Sequence, residues 1–167
     1  VRRVINACGS MTALGSSVMR ESGIREMVKA SRRFMIMDEL YEEASRILSE
    51  LTGAEAGCIT TGAAAGIAIS VAACIAGRDI KKIERLPESE GMKNRVIIPK
   101  AHCINFGAPI TQMIRLGGGI PIEVGQVNTL KEEHVKEEID GKTVALFYVL
   151  SHHCPHDGIL SLEDFLK

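Results

Sequence analysis

The stretch that decides the fold runs from Ala56 to Ala76: Ala56 to Thr60 (AGCIT), the pair Thr61-Gly62, then Ala63 to Ala76 (AAAGIAISVAACIA). The first piece is short, apolar and bounded by turn residues, which predicts a buried strand. Thr61-Gly62 reads as a turn. The last 14 residues carry a single polar side chain, Ser70. A helix that is apolar all round has to be covered on every side. The spacing therefore predicts a helix held between a sheet and a second layer, or a second subunit. Gly77 suits the residue just past its end.

Downstream, the elements alternate. Arg95 to Ile98, Ile120 to Val124 and Thr143 to Leu150 (TVALFYVL) read as strands. Gly107 to Leu116, a short piece from Thr129 to Ile139 opened by the capping box Thr129-Leu-Lys-Glu132, and a segment starting at Leu162 behind Ser161 read as helices. Residues 78 to 94 are charged and contain Pro87, a surface excursion. Strand and helix in strict alternation argue for an α/β fold with a mostly parallel sheet covered on both faces. Ligands of such sheets bind beyond the carboxyl ends of the strands, here at 60–64, 99–107, 125–128 and 151–158. Upstream, residues 1 to 15 form an irregular Gly- and Ser-containing arm. Ser22 to Arg33 and Asp38 to Leu51 read as amphipathic helices, the second capped by Asp38 and ended by Gly53. The division expected is 1–53 for the arm and helices and 54–167 for the sheet domain.

Composition narrows the function. The chain has 167 residues, 46 % apolar and 25 % charged, with a net charge of −1. A folded monomer of this size exposes roughly 8,000 Å². Near-neutral charge gives no electrostatic reason for nucleic acid or an anionic membrane. With two Tyr, four Phe and no Trp, a base-stacking platform is not expected. Five cysteines (Cys8, Cys58, Cys74, Cys103, Cys154) without a CxxC pair point to a reducing compartment and a cytoplasmic protein. Cys58 and Cys74 read as small buried apolar residues. The longest apolar run is far short of the ~20 residues a membrane span needs. The chain opens on Val1, and the final Phe165-Leu-Lys167 would complete only one helical turn, so the sequence reads as a piece of something longer.

Three constellations carry chemistry. At Thr61, Gly62, Ala63 and Ala64 a helix begins with free N–H groups, a positive dipole end and small side chains, which suits an anion such as a phosphate; a tight turn into a buried helix accounts for the same residues. It is neither a P-loop nor GxGxxG. His102, just past a strand, is placed to stack on a planar ligand or to move a proton; a polar loop histidine is the alternative. Ser151-His-His-Cys-Pro-His-Asp157 groups three His, a Cys and an Asp, readable as a loop lining an active site, a metal site joined by His102 and Cys103, or a solvated loop. Lys93 and Lys100 are the lysines expected to approach a site.

These segments, with Val4-Ile-Asn-Ala-Cys-Gly-Ser-Met-Thr-Ala-Leu-Gly15, Met37-Asp-Glu-Leu40, Leu51-Thr-Gly-Ala-Glu55, Gly91-Met-Lys-Asn94 and Gly158-Ile-Leu-Ser-Leu-Glu163, resemble the selenocysteine synthase-like group of pyridoxal-phosphate enzymes, in the glucosaminate-6-phosphate ammonia-lyase-like branch. The resemblance covers the amino-terminal half of that family. It implies the three-layer α/β/α large domain of the aspartate aminotransferase type (fold type I), incomplete at its carboxyl end, in a homo-oligomer. It implies pyridoxal 5'-phosphate as cofactor. It places Thr61, Gly62, Ala63 and Ala64 on the cofactor phosphate, His102 against the ring, and Ser151 and His152 beside it. Asn6, Thr12 and His153 are implied on the substrate side, and no metal. The substrate class is an amino acid or amino sugar acid, undergoing β-elimination, ammonia loss or selenium-transferase-like transfer. The family's Schiff-base lysine and the acid that pairs with the pyridine nitrogen lie beyond the helix that starts at Leu162. Two other functions remain open: a non-catalytic truncated or pseudoenzyme module, and a metal-dependent hydrolase using 151–157.

Overall fold

A computed structural model describes all of residues 1–167. The chain divides into two units, Val1–Ile59 and Thr60–Lys167.

The first unit holds a 3-10 turn at Thr12–Leu14, helix α1 (Glu21–Ala30) and helix α2 (Met37–Thr52). Met11 and Ser16 bridge around the turn, with Gly15 in the left-handed region. The stop of α2 follows the sequence: Gly53, at φ 74°, donates its N–H to the Ser49 carbonyl at 2.8 Å. Its start does not. Asp38 is not the cap; Ile36 is, without a side-chain bond, and Asp38 and Glu39 lie inside the first turn, where their charge still meets the positive end of the dipole. No residue of this unit is buried.

The buried strand expected at Ala56 to Thr60 does not form. A strand exists only through a ladder partner. Here the Gly57 N–H goes to the Ser45 hydroxyl of α2 at 3.0 Å instead, and Ile59 stays exposed.

The second unit is built on a parallel sheet of β1 (Arg95–Pro99), β2 (Ile120–Val124) and β3 (Thr143–Leu146), in the order β2-β1-β3. Val96, Ile97 and Ile98 of the central strand are wholly buried, as expected for a strand covered on both faces. Period-two alternation sends Val96 and Ile98 into a cluster with Val71, Ile75, Ile110 and Ile114. It sends Ile97 into a second cluster with Val124, Leu130, Val135 and Phe165. Helices α3 (Ala63–Ala76) and α5 (Ile110–Leu116) supply the first cluster; α6 (Glu132–Lys136) and α7 (Leu162–Phe165) supply the second. Between α3 and β1 lies α4 (Ile80–Arg85), capped by the Asp79 carboxylate. Its excursion is tied down by buried polar groups. The Ser89 hydroxyl donates to the Gly118 carbonyl at 2.6 Å, and the Asn94 amide donates to the Ser89 oxygen at 2.9 Å.

Several boundaries differ from the sequence reading. Helix α3 has the expected bounds but is covered on one face only. Val71, Ile75 and Ala76 are buried, while Ile69, Ala73 and Cys74 are exposed, and so is Cys58. Helix α5 starts at Ile110 and not at Gly107, because Pro109 disfavours a helical Ala108. The Thr129 capping box is not used. Leu130 is held outside α6 by its bond to the Gly158 carbonyl at 2.9 Å, and His134 Nδ1 accepts the Lys131 N–H at 3.2 Å. The ladder of β3 stops at Leu146; beyond it Phe147 donates to the Ile97 carbonyl at 2.7 Å and Val149 turns to a side chain of the candidate site. No helix is long and apolar enough to cross a membrane.

Candidate functional site

Beyond the carboxyl ends of β1 and β3 lies a cleft of about 360 Å³. Its walls are Ala63 and Ile67 from α3, Ile104 and Phe106 from the loop after β1, Ile110 from α5, and the run from Phe147 to His153 after β3. The parallel topology dictates this gathering, since each strand releases its following loop at the same edge.

The amino end of α3 opens at this cleft. Gly62 precedes the helix at φ 135°, a conformation that disfavours any side chain, and a Cβ added there would meet nothing within 4 Å. The Gly62 carbonyl accepts the first helical bond, from Gly66 at 3.0 Å, and the Thr60 hydroxyl at 3.0 Å. No side chain caps the helix, so the N–H groups of its first turn have no acceptor within it. Thr61, Gly62 and Ala63 are exposed and Ala64 is half-buried. Backbone dipoles without a protein partner, at an open and approachable glycine, fit a phosphate.

His102 is placed otherwise than an exposed ring beside a strand end. It is wholly buried and does not line the cleft. Its Nδ1 accepts the Val149 N–H at 3.3 Å, so in the neutral ring the proton sits on Nε2, which is buried without a partner. The ring meets Tyr148 edge-on at 4.3 Å. Burial holds its pKa below the usual imidazole range, with His156 adding to the effect, so the ring is neutral near pH 7. Tyr148 in turn donates its hydroxyl to the Leu160 carbonyl at 2.9 Å. His102 thus locks the segment that forms one wall of the cleft.

In the loop after β3, Ser151 Oγ lies 3.1 Å from His153 Nδ1 and accepts the His153 N–H at 3.2 Å. The rings of His152 and His153 face one another at 3.9 Å. Ser151, His152 and His153 all line the cleft with Ala63. Cys154 is buried and its thiol pushed up by burial; the same cause, with Glu123, pushes Cys103 up to about 11. Neither is an activated nucleophile. No three His, Cys, Asp or Glu side chains converge, which removes the geometric basis of the hydrolase reading for 151–157.

Lys93 does not approach this cleft. It precedes β1, at the opposite end of the parallel sheet, beside a separate groove lined by Ser89 to Arg95 and Lys142. Lys100 is exposed and lines no wall of the cleft. Asn6 and Thr12 belong to the first unit, where Asn6 Oδ1 accepts the Cys8 N–H at 2.8 Å and its amide donates to the Gly9 carbonyl at 2.6 Å. The sequence reading passed over Phe106, Phe147 and Tyr148, which make the cleft aromatic. In a chain with so few aromatics, Asn105-Phe-Gly107 in a carboxyl-end loop was a usable signal.

A parallel sheet covered by helices, with an uncapped glycine-led helix opening on an aromatic cleft at its carboxyl edge, places the chain among α/β proteins. No family model matches the chain. It is 42 % identical over 167 residues to D-glucosaminate-6-phosphate ammonia lyase of Salmonella typhimurium (strain 14028s / SGSC 2262), covering all of this chain and 45 % of that protein. It is 41 % identical over 165 residues to 5'-C-glycyluridine monooxygenase-decarboxylase of a Streptomyces species, 98 % of this chain and 41 % of that one. It is 24 % identical over 161 residues to L-seryl-tRNA(Sec) selenium transferase of Desulfomicrobium baculatum, 89 % of this chain and 31 % of that one. A solved structure of D-glucosaminate-6-phosphate ammonia-lyase superposes with a TM-score of 0.96 at 43 % identity, over 99 % of this chain and 45 % of that one. The chain is a homologue of these enzymes, matching the amino-terminal half of the ammonia lyase. It spans less than half the length of the relatives it matches.

Proposed function

We propose that this chain forms the phosphate-gripping part of a pyridoxal 5'-phosphate-dependent lyase or transferase of the cytoplasm that acts on an amino acid or amino sugar acid. In this reading residues 54–167 are the first part of the three-layer large domain of fold type I, and residues 1–53 are its arm and leading helices. The observation that carries the proposal is the uncapped start of α3 at Gly62, opening with Ala63 onto an aromatic cleft at the carboxyl ends of the strands.

Each residue then has a task. The first-turn N–H groups from Ala63 onward, with the Thr61 hydroxyl beside them, hold the phosphate by charge-assisted hydrogen bonds. Gly62 and Ala64 leave the backbone open to it. When bound, the cofactor supplies the electron sink that stabilises a carbanion next to the substrate nitrogen. His102, neutral, keeps the ring side of the cleft in place through the Val149 N–H and Tyr148. Ser151 and His152 face the ring, and the Ser151 hydroxyl orients His153 toward the substrate side, where the resemblance also puts Asn6 and Thr12. No lysine lines the cleft; the anchoring amine belongs to the part of the relatives that this chain does not span.

The test is titration of this 167-residue chain with pyridoxal phosphate, followed by borohydride reduction and mass mapping. Weak binding competed by inorganic phosphate, lost in Gly62→Asp and leaving no fixed adduct, is expected. A stoichiometric pyridoxyl adduct on Lys93 or Lys100 would overturn the division of labour. Binding that phosphate does not compete would overturn the α3 cradle.

A further inference from the structure

The carboxyl end of α3 opens on a second cleft, of about 590 Å³, that plays no part in the candidate site. Its floor is apolar, made by Ile75 of α3, Met92 of the turn before β1 and Val144 of β3. Three cations stand over that floor. Lys82 and Arg85 come from one side of α4, Lys93 follows Met92, and no acidic side chain lines the cleft. Lys82 and Lys93 are exposed, and their ammonium groups make neither an ion pair nor a hydrogen bond, so the negative end of α3 does not consume their charge. Arg85 is held in place, because its Nη2 donates to the Glu90 carbonyl at 2.8 Å. Gly91, at φ 80° with nothing within 4 Å of an added Cβ, keeps the mouth open. The adjoining groove shares Lys93 but is balanced: Arg95 pairs there with Asp140 and with Glu138 at 2.6 Å, and Glu90 stands on its wall. Positive charge without a counter-charge is therefore confined to one cleft. The 14 residues of α3 span about 21 Å, which sets this cleft a whole helix away from Gly62.

We propose that this cleft binds a small phosphorylated organic anion, at a site separate from the one that opens at Gly62. Ammonium and guanidinium groups converging from two segments hold phosphoryl oxygens by charge-assisted hydrogen bonds. Three like charges around one space repel each other, so a dianion between them removes that repulsion as well as adding contacts. The floor selects the rest of the ligand. A bare inorganic ion would leave Ile75, Met92 and Val144 wet, and an apolar molecule would leave the cations uncompensated. A few polar groups over an apolar lining, in a cleft of this size, is the usual build of a small-molecule site. The inference rests on none of the cofactor chemistry.

Cys74 lies on the wall of this cleft and is exposed, so its alkylation by iodoacetamide reports occupancy. Cys8 and Cys58, exposed in the first unit, are internal controls. The experiment maps alkylation rates by mass spectrometry on the 167-residue chain, with phenyl phosphate as the probe. Phenyl phosphate at roughly millimolar concentration should slow Cys74 and leave Cys8 and Cys58 unchanged. Inorganic phosphate should need about tenfold more for the same protection, because it leaves the floor uncovered. Lys82→Ala with Lys93→Ala removes two exposed side chains that nothing else in the fold uses. Its urea midpoint should match wild type, and its affinity for phenyl phosphate should fall about tenfold or more. Gly62→Asp should protect Cys74 like wild type. Equal slowing of all three cysteines, protection undiminished in Lys82→Ala with Lys93→Ala, or inorganic phosphate as effective as phenyl phosphate overturns the proposal. Protection lost in Gly62→Asp would move the anion to the start of α3 and overturn it as well.

Discussion

Val1–Ile59 and Thr60–Lys167 are made of similar side chains and end in different states. Leu40 and Ile47 of α2 stand at helical spacing and remain 46 % and 43 % exposed, whereas Val71 and Ile75 of α3 fall to 2 % and 5 %. Amphipathic patterning makes a helix able to bury a face, but a neighbouring layer has to be there to receive it. In the second unit the sheet is that layer; in the first there is no sheet, and α2 meets only the segment after it, through the Gly57 N–H on the Ser45 hydroxyl.

The sharpest way to break this contrast is to put a charge on its buried side. Val71→Asp leaves an unpaired carboxylate inside the α3–β1 cluster and should cost about 3–5 kcal/mol. In urea unfolding followed by tyrosine fluorescence, an unchanged midpoint would mean α3 is not packed on the sheet as described.

Glycines give the next largest effect. A Cβ on Gly117 would run into the Ala68 carbonyl and into Val71, so Gly117→Ala should cost about 2 kcal/mol by forcing α3 and α5 apart. Gly53, at φ 74° with nothing around it, should lose about 1 kcal/mol of local helix stability as Gly53→Ala, from backbone strain alone. Equal losses in thermal unfolding would erase the distinction between packing and conformation.

Acid separates the units through His102. Its folded pKa lies below the unfolded value of 6.5 because burial disfavours the imidazolium. The unfolded chain then binds more protons, so stability is fully present above about pH 6.5 and is lost as pH falls toward the folded pKa. Urea midpoints at pH 7.5 and pH 5.5 should differ for wild type, and the His102 share of that difference should vanish in His102→Gln.

The smallest expected effect lies in the first unit. The pairs Arg46 with Glu43 and Glu50, each at 2.5 Å, are exposed. Raising salt to 0.5 M should trim helical circular dichroism slightly, with no change in the cooperative unfolding of the second unit.

What could be read from residues alone is what neighbours along the chain decide. The bounds of α3, the Gly53 stop of α2, the Ser161 cap of α7 and the strands β1 and β2 rest on caps, glycines and apolar runs within a few residues. The alternation that they form fixed the edge at which the cleft would lie, and so Ala63, Ser151, His152 and His153 were found together. What failed were features whose partner is far away in sequence. Ala56 to Thr60 has strand composition but no ladder, Thr129 lost its capping role to a bond between Leu130 and Gly158, and α3 met one neighbouring layer and not two. His102 is the clearest case. Its position after β1 was legible, but that Val149, 47 residues on, would take its Nδ1 and Tyr148 would cover its ring was decided only when β3 paired with β1, because hydrogen-bond direction and burial are properties of the assembled sheet and not of any segment of it.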